Sequence, residues 1–170
     1  MIIRVLVITL FIISFFSCRQ APEQKNVQPP GRKELADLNR YLVRKDRERI
    51  EGYIERRDLE MTESQTGLWY QIISGGRGDF LSNNQKIVME YTCSLLDGTK
   101  CYSSEESGPE ELIIGRSEMV PGLDQGLKML KPGGEAVFII PPYLAYGLKG
   151  DGNKIPARSV IVYEVRILNN

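Results

Sequence analysis

One stretch limits what this chain can fold into more than any other: Glu118–Gly147, EMVPGLDQGLKMLKPGGEAVFIIPPYLAYG. Met119 and Val120 lead into a Pro121-Gly122 turn, Leu123–Leu130 reads as one short helix, and Lys131-Pro132-Gly133-Gly134 stops it. Proline is acceptable at a helix start, where its missing N–H would be unpaired anyway, whereas Pro132 followed by two glycines ends a helix. Leu123, Leu127 and Leu130 are spaced to turn one apolar face toward a sheet. Glu135–Ile140 then reads as a strand, and Pro141-Pro142 breaks it into a loop carrying Tyr143 and Tyr146. A single helix against strands, with an aromatic loop beside it, points to a small concave apolar site.

The rest of the chain supplies the strands. Leu68–Ile73 ends at the turn signal Ser74-Gly75-Gly76, and Ile87–Leu95 runs into Leu96-Asp97-Gly98-Thr99, the strongest hairpin signal present. Lys100–Ser103 is the return strand and Glu111–Ile114 another short one. In Val160–Leu168, Val160, Val162 and Glu164 alternate against Ile161, Tyr163, Val165 and Ile167. Short turns between strands and one late helix define an α+β fold with a mostly antiparallel sheet, within residues 66–170. Cys93 and Cys101 fall on the two arms of the Asp-Gly hairpin. A two-residue turn would place them on opposite faces. A three-residue turn with Gly98 as the bulge would place them across from each other, the one register that allows a disulfide; packing as small residues is the alternative.

Ahead of the strands, residues 1–17 read as an export signal. Met1–Arg4 is a short positive start, and Val5–Phe16 is an apolar run of twelve, too short for a membrane span. The run ends Phe15-Phe16-Ser17-Cys18, which resembles the cleavage box of bacterial lipoproteins. Cys18 is therefore the expected lipidation site, and the expected location is the bacterial envelope, lipid-anchored and facing the periplasm. Residues 18–31 hold Pro22, Pro29 and Pro30 and read as a tether. Residues 32–61 form a charged helical segment with a narrow stripe of Leu35, Leu38, Leu42, Ile50 and Ile54. That segment either lies against its own domain, stands off as a spacer, or serves through residues 32–60 as a homodimer-forming arm.

Charge and composition narrow the chemistry. Lys and Arg number 22 against 22 Asp and Glu, with no basic block, so nucleic acid is not an expected partner. The chain has no His, which excludes His-ligated metals, Ser-His-Asp triads and histidine bases. No cofactor or metal is expected.

Four motifs in one order carry a resemblance. They are Tyr91-Thr92 with Leu96-Asp97-Gly98, then Glu118-Met119-Val120-Pro121-Gly122-Leu123, then Lys131-Pro132-Gly133-Gly134-Glu135, and finally Pro141-Pro142-Tyr143-Leu144-Ala145-Tyr146-Gly147. With Ile155-Pro156 and Tyr163 they resemble the FKBP-type peptidyl-prolyl isomerases over roughly Leu68–Leu168. The lipoprotein start, the charged helix and Gly150–Pro156 are similar, more narrowly, to gliding-motility-associated isomerase lipoproteins of Bacteroidetes.

The resemblance implies a twisted, mostly antiparallel sheet wrapped over the one short helix, and a non-covalent isomerase whose partners are proline-containing segments of exported proteins. It implies Tyr91 on the pocket wall, the Val120 N–H as donor to a substrate carbonyl with Met119 beside it, and Leu123 at the floor. Tyr146 would give its hydroxyl to the peptide, while Ile155 and Tyr163 would close the walls. Cys101, Tyr102, Glu110 and Tyr143 join as further substrate contacts. The family's usual Phe-Asp step is here Cys101-Tyr102, its second pocket aromatic is Glu110, and its floor Trp is Leu123. These departures remove apolar surface worth about 25 cal/mol per Å² and the usual acidic partner of the Tyr146 hydroxyl, so weak activity and poor macrolide binding are expected. The same fold without useful turnover, as a chaperone or docking module of an envelope motility or secretion complex, is the alternative.

Overall fold

The computed structural model describes residues 31–116 and 119–169. The signal segment, Cys18, most of the tether and Glu118 lie outside them. The chain divides into two units, Met1–Ala36 and Asp37–Asn170. Of the first, the described part is the opening of helix α1, where Glu34 Oε2 accepts the Gly31 N–H at 2.8 Å.

Seven strands among the described residues make one antiparallel sheet: β1 Thr62–Glu63, β2 Trp69–Ser74, β3 Lys86–Leu95, β4 Lys100–Ser103, β5 Glu110–Ile113, β6 Glu135–Ile140 and β7 Ile161–Ile167. Their order is β1-β2-β6-β7-β3-β4, with β5 pairing the first half of β3 beside β4 on the second half. The expected α+β fold is present. Three short elements were not expected: β1, the helix α2 (Ser104–Ser107) and a 3₁₀ turn at Pro142–Leu144. β5 starts one residue earlier than its apolar run suggests, which puts Glu110 inside the sheet opposite Met89.

Alternation along β6 and β7 gives the sheet two working faces. Ala136, Phe138, Ile140, Ile161, Tyr163 and Val165 point into the concave core, while Ile139 and Val162 point the other way. Helix α3 (Pro121–Leu127) fills the concave side through Leu123 and Leu127. It begins at Pro121 and ends at Leu127, before the Leu130 limit of the apolar spacing, yet Leu130 is still fully buried in the turn that follows. Each such leucine contributes roughly 1.5–3 kcal/mol.

The charged segment forms one helix, α1 (Arg32–Arg57), ended by Asp58 in a left-handed conformation at φ 51°. Ile50 and Tyr53 bury against Ile139, Val160 and Val162 on the convex face, so this half of the helix lies on its own domain. A partly buried ion pair fastens it: Arg158 Nη2 lies 2.7 Å from Asp46 Oδ2 and also donates to the Leu42 carbonyl at 3.4 Å.

α3 approaches the sheet on its glycines. A Cβ at Gly122 would sit 2.3 Å from Ile140 Cγ2, and one at Gly126 2.7 Å from the Phe138 ring. Gly126→Ala gains up to about 1 kcal/mol of helix propensity but overpacks the core by about 1–3 kcal/mol. A net loss in urea unfolding is expected. Gly75→Ala, with nothing within 4 Å of the new Cβ, should change stability by less than about 0.5 kcal/mol.

Candidate functional site

A cavity of about 310 Å³ opens between α3, β3, β5, β7 and the loop after β6. Its apolar side is Met89, Leu112, Met119, Val120 and Leu123. Four phenols, Tyr91, Tyr102, Tyr146 and Tyr163, make the opposite side, and Glu110 and Glu111 stand at its edge. The rings of Tyr91 and Tyr163 tilt against each other at 5.8 Å between centroids.

Each wall follows from local chemistry. Tyr91 and Tyr163 come from neighbouring strands β3 and β7, and both project onto the concave face. The Tyr91 backbone N–H is held by Ser104 Oγ at 2.9 Å, just where α2 starts. Leu123 is fixed by the first turn of α3, where the Val120 carbonyl accepts the N–H groups of Leu123 and Asp124. Pro121 supplies no donor there, and the Val120 N–H has no acceptor among the described residues. Tyr146 sits at the end of the Pro141–Gly147 loop, which closes through Gly147 N–H to the Pro142 carbonyl at 2.8 Å. From its other side, the Arg158 N–H donates to the Gly147 carbonyl at 2.9 Å.

Of the residues expected from sequence, Tyr91, Met119, Val120, Leu123, Tyr146, Tyr163, Tyr102 and Glu110 line this one cavity. Three do not. Ile155 is buried in the concave core behind the wall, its N–H held by Asp151 Oδ1 at 2.8 Å. Cys101 is also buried, with its Sγ against the Lys154 carbonyl at 3.7 Å. Tyr143 turns away to the Thr66-Gly67 turn, where its hydroxyl donates to the Thr66 carbonyl at 3.3 Å. A Pro-rich loop delivers its two tyrosines to opposite sides, and spacing alone does not tell which one faces the cavity.

Sequence reasoning missed Met89 and Leu112, whose inward alternation on β3 and β5 was available as a signal, and it gave Asp151 no role. The Asp151 carboxylate accepts the Tyr102 hydroxyl through Oδ2, and its Oδ1 accepts the N–H groups of Asn153 and Ile155, the latter two at 2.8 Å. Burial works against its charge, but the Tyr102 hydroxyl and these N–H donors hold its pKa below the ordinary value. An acidic group thus stands beside the phenolic wall, from the loop before β7 and not from β4. The signal was Gly150-Asp151-Gly152-Asn153, a sequence typical of an Asx turn.

The three-residue turn does not bring the cysteines together as its register suggests, and they take the packing alternative. The hairpin does close over three residues: Leu95 N–H donates to the Thr99 carbonyl, Gly98 N–H to the Leu95 carbonyl, and Gly98 has φ 90°. A second irregularity next to Cys93 then slips the pairing, so Cys93 faces Tyr102 and not Cys101. Both thiols are free and buried in the same core.

A curved antiparallel sheet closed over one short helix, with an apolar and phenolic cup between them, defines a class of small α+β domains. Residues 78–168, more than half of the chain, match the FKBP-type peptidyl-prolyl cis-trans isomerase family, and the chain belongs to that family. A probable FKBP-type peptidyl-prolyl cis-trans isomerase of Haemophilus influenzae is 34% identical over 118 residues, covering 69% of this chain and 47% of that protein. FkpA of Escherichia coli K12 is 37% identical over 106 residues, 62% and 38% of the respective chains. Mip of Chlamydia trachomatis is 31% identical over 134 residues, 79% and 50%. The chain therefore spans half or less of the length of these curated relatives. Among solved structures, AtFKBP13 superposes with a TM-score of 0.61 at 31% identity, over 65% of this chain and 98% of that one. Escherichia coli FkpA gives 0.62 at 26% identity, over 84% and 74%.

Burial raises the Tyr91 hydroxyl to about 12, with the neighbouring Glu110 carboxylate adding to it, and burial likewise raises the Cys93 thiol to about 12. Both folded values stand above the ordinary 10.0 and 9.0, so the fold holds the protonated forms. Their contribution is complete below pH 9.0 and is lost as pH rises through about 12. The urea midpoint should fall between about pH 8 and about pH 11, and Cys93→Ala should reduce that fall.

Proposed function

We propose that the chain is a peptidyl-prolyl cis-trans isomerase acting on proline-containing segments of exported proteins, anchored to the bacterial envelope through lipid on Cys18 and facing the periplasm. The observation that carries this is the cup itself: an apolar floor at Val120 and Leu123 faced by the phenols of Tyr91, Tyr146 and Tyr163, of which Tyr163 is buried and the other two partly buried. Family membership and the four-motif order support it, as does the export signal in residues 1–17. The narrower likeness to gliding-motility lipoproteins rests on the sequence alone.

Rotation about an X-Pro bond must break amide conjugation worth ~18–20 kcal/mol, while the two isomers differ by only ~0.5–1 kcal/mol. The barrier falls if the carbonyl leaves water and meets hydrogen bonds that suit the twisted amide better than the planar one. In this reading the proline ring rests on Leu123 and Val120, the Val120 N–H donates to a substrate carbonyl with Met119 beside it, and the Tyr146 hydroxyl donates to the flanking chain. Tyr91, Tyr102 and Tyr163 keep water out, and Ile155 and Cys101 support that wall from behind. No proton is transferred and no covalent bond forms.

Leu123 gives a shallower floor than an indole would, and Glu110 brings charge to the edge, which supports a slow enzyme that binds macrolides poorly. One observation favours the second reading, a chaperone or docking module. Leu38 and Tyr41 of α1 are about half exposed, at 51% and 47%, an apolar strip suited to an unfolded client or to a homodimer through residues 32–60.

The test is cis–trans exchange of a short X-Pro peptide followed by NMR. Wild type should accelerate exchange, Tyr146→Phe should lower it by about fivefold, the worth of one neutral hydrogen bond, and Leu123→Trp should raise it. If none of the three exceeds the uncatalysed rate, the groove is a docking site and the isomerase reading is wrong.

A further inference from the structure

We propose that Glu110 sets the cup's sequence preference, selecting segments in which a lysine or arginine lies beside the proline; this rests on the proline-cup reading above. Three observations carry it. In the sheet register Glu110 lies directly opposite Met89, which is almost wholly buried on the concave face, so Glu110 and Leu112 share that inward face. A cross-strand pair projects to the same side of a sheet, so the Glu110 carboxylate is delivered to the cavity it lines.

The second observation concerns the neighbouring charges. Glu111 is neutralised by Lys86 at 2.6 Å. Asp151 is spent on the Tyr102 hydroxyl and two backbone N–H groups, with Lys154 Nζ lying 5.2 Å over the Tyr102 ring. Glu110 makes no ion pair among the described residues. The rim therefore presents a carboxylate whose charge is uncompensated there.

The third is the surroundings of that carboxylate. Met89, Leu112 and Met119 line the wall next to it, and the carboxylate raises the Tyr91 hydroxyl beside it. A lysine or arginine can lay its methylene stem on such a wall while its charged end reaches the carboxylate. A glutamate in the same position meets like charge. An uncharged residue gains only the apolar contact. Because Glu110 is exposed at the mouth, the preference should be of a few-fold size and weaken with salt.

The experiment uses the full chain and two readouts, binding by NMR shift titration and exchange by line-shape analysis. The probes are equal-length peptides in which Lys, Leu or Glu stands immediately before or after the proline. Wild type should bind the Lys peptides about fivefold more tightly than the Glu peptides in one of the two positions. The gap should close in Glu110→Gln, which keeps the side chain's size and polarity but loses the charge, and should narrow at about 0.5 M salt. Equal binding of the Lys and Glu peptides, or a gap that survives Glu110→Gln, overturns the proposal. Charge-selective binding without exchange upholds it and sinks the isomerase reading, whereas exchange without selectivity does the reverse. If no peptide binds at all, both fall.

Discussion

The distance between α3 and strand β6 governs the rest of the domain. Gly122 and Gly126 lie four residues apart, on one helical face, and that face meets Ile140 and Phe138 with no room for a methyl group. Two glycines cost helix propensity of roughly 1 kcal/mol each, and a helix of seven residues has little to spare. Burial repays this. With the helix backbone against the sheet, Leu123 and Leu127 reach positions that are 3% and 0% exposed, and Phe138 is sealed completely. The same approach sets the depth of the cup, because Val120 and Leu123 stand at the helix end that forms its floor. A helix lifted by one methyl group would leave the phenols of β3 and β7 facing a wider gap.

The convex face imposes a second constraint that runs to the same site. Asp46 is only 4% exposed and would be costly to bury alone; Arg158 is its nearer cation at 2.7 Å, with Arg49 at 3.9 Å on the other oxygen. Arg158 reaches it from a backbone with φ 56°, an unfavourable conformation for a residue with a Cβ that persists only where the surroundings determine it. Its own N–H then holds the Gly147 carbonyl, next to Tyr146. A continuous series of fixed contacts thus joins α1, on one side of the sheet, to the loop that brings Tyr146 to the other. The charged helix is consequently part of the support of the site as well as a cover for Ile139 and Val162.

What the sequence made legible follows the same physics. Alternation in Val160–Leu168 has period two, so the inward set Ile161, Tyr163, Val165 and Ile167 was assignable without coordinates. Pro121 and the Lys131–Gly134 stop marked the helix ends to within a few residues. The unread parts depend on local slips. A bulge beside Cys93 shifts one strand against another by a single residue, so the three-residue turn does not set Cys101 across from Cys93 and both pack as small buried residues, and nothing in the Asp97-Gly98 turn announces it. Tyr143 and Tyr146 share one loop, and only the 3₁₀ turn at Pro142–Leu144 decides that they point to different sides. Glu110 looked like the residue before a strand because the apolar run starts later, yet backbone pairing with Met89 extends the sheet through it.

These slips determine the polarity of the cup. With Cys101 turned into the core, Tyr102 occupies the wall in its place and needs an acceptor, since a phenol half-removed from water is costly without one. Asp151 provides it from a loop already built around its own carboxylate, so the acid stabilises the wall and the turn carrying Ile155 together. The wall is then four phenols with one side fully satisfied, and the remaining charge is displaced to the rim at Glu110. An apolar floor, a hydroxyl-rich wall and a charged rim divide the work of the site. Under the proposed function the floor takes the ring, the wall governs water around the carbonyl, and the rim acts only on what flanks the proline. Substitutions at Leu123 should therefore change the rate for every peptide alike, whereas those at Glu110 change which peptide is favoured, because the charge lies outside the volume the ring must fill.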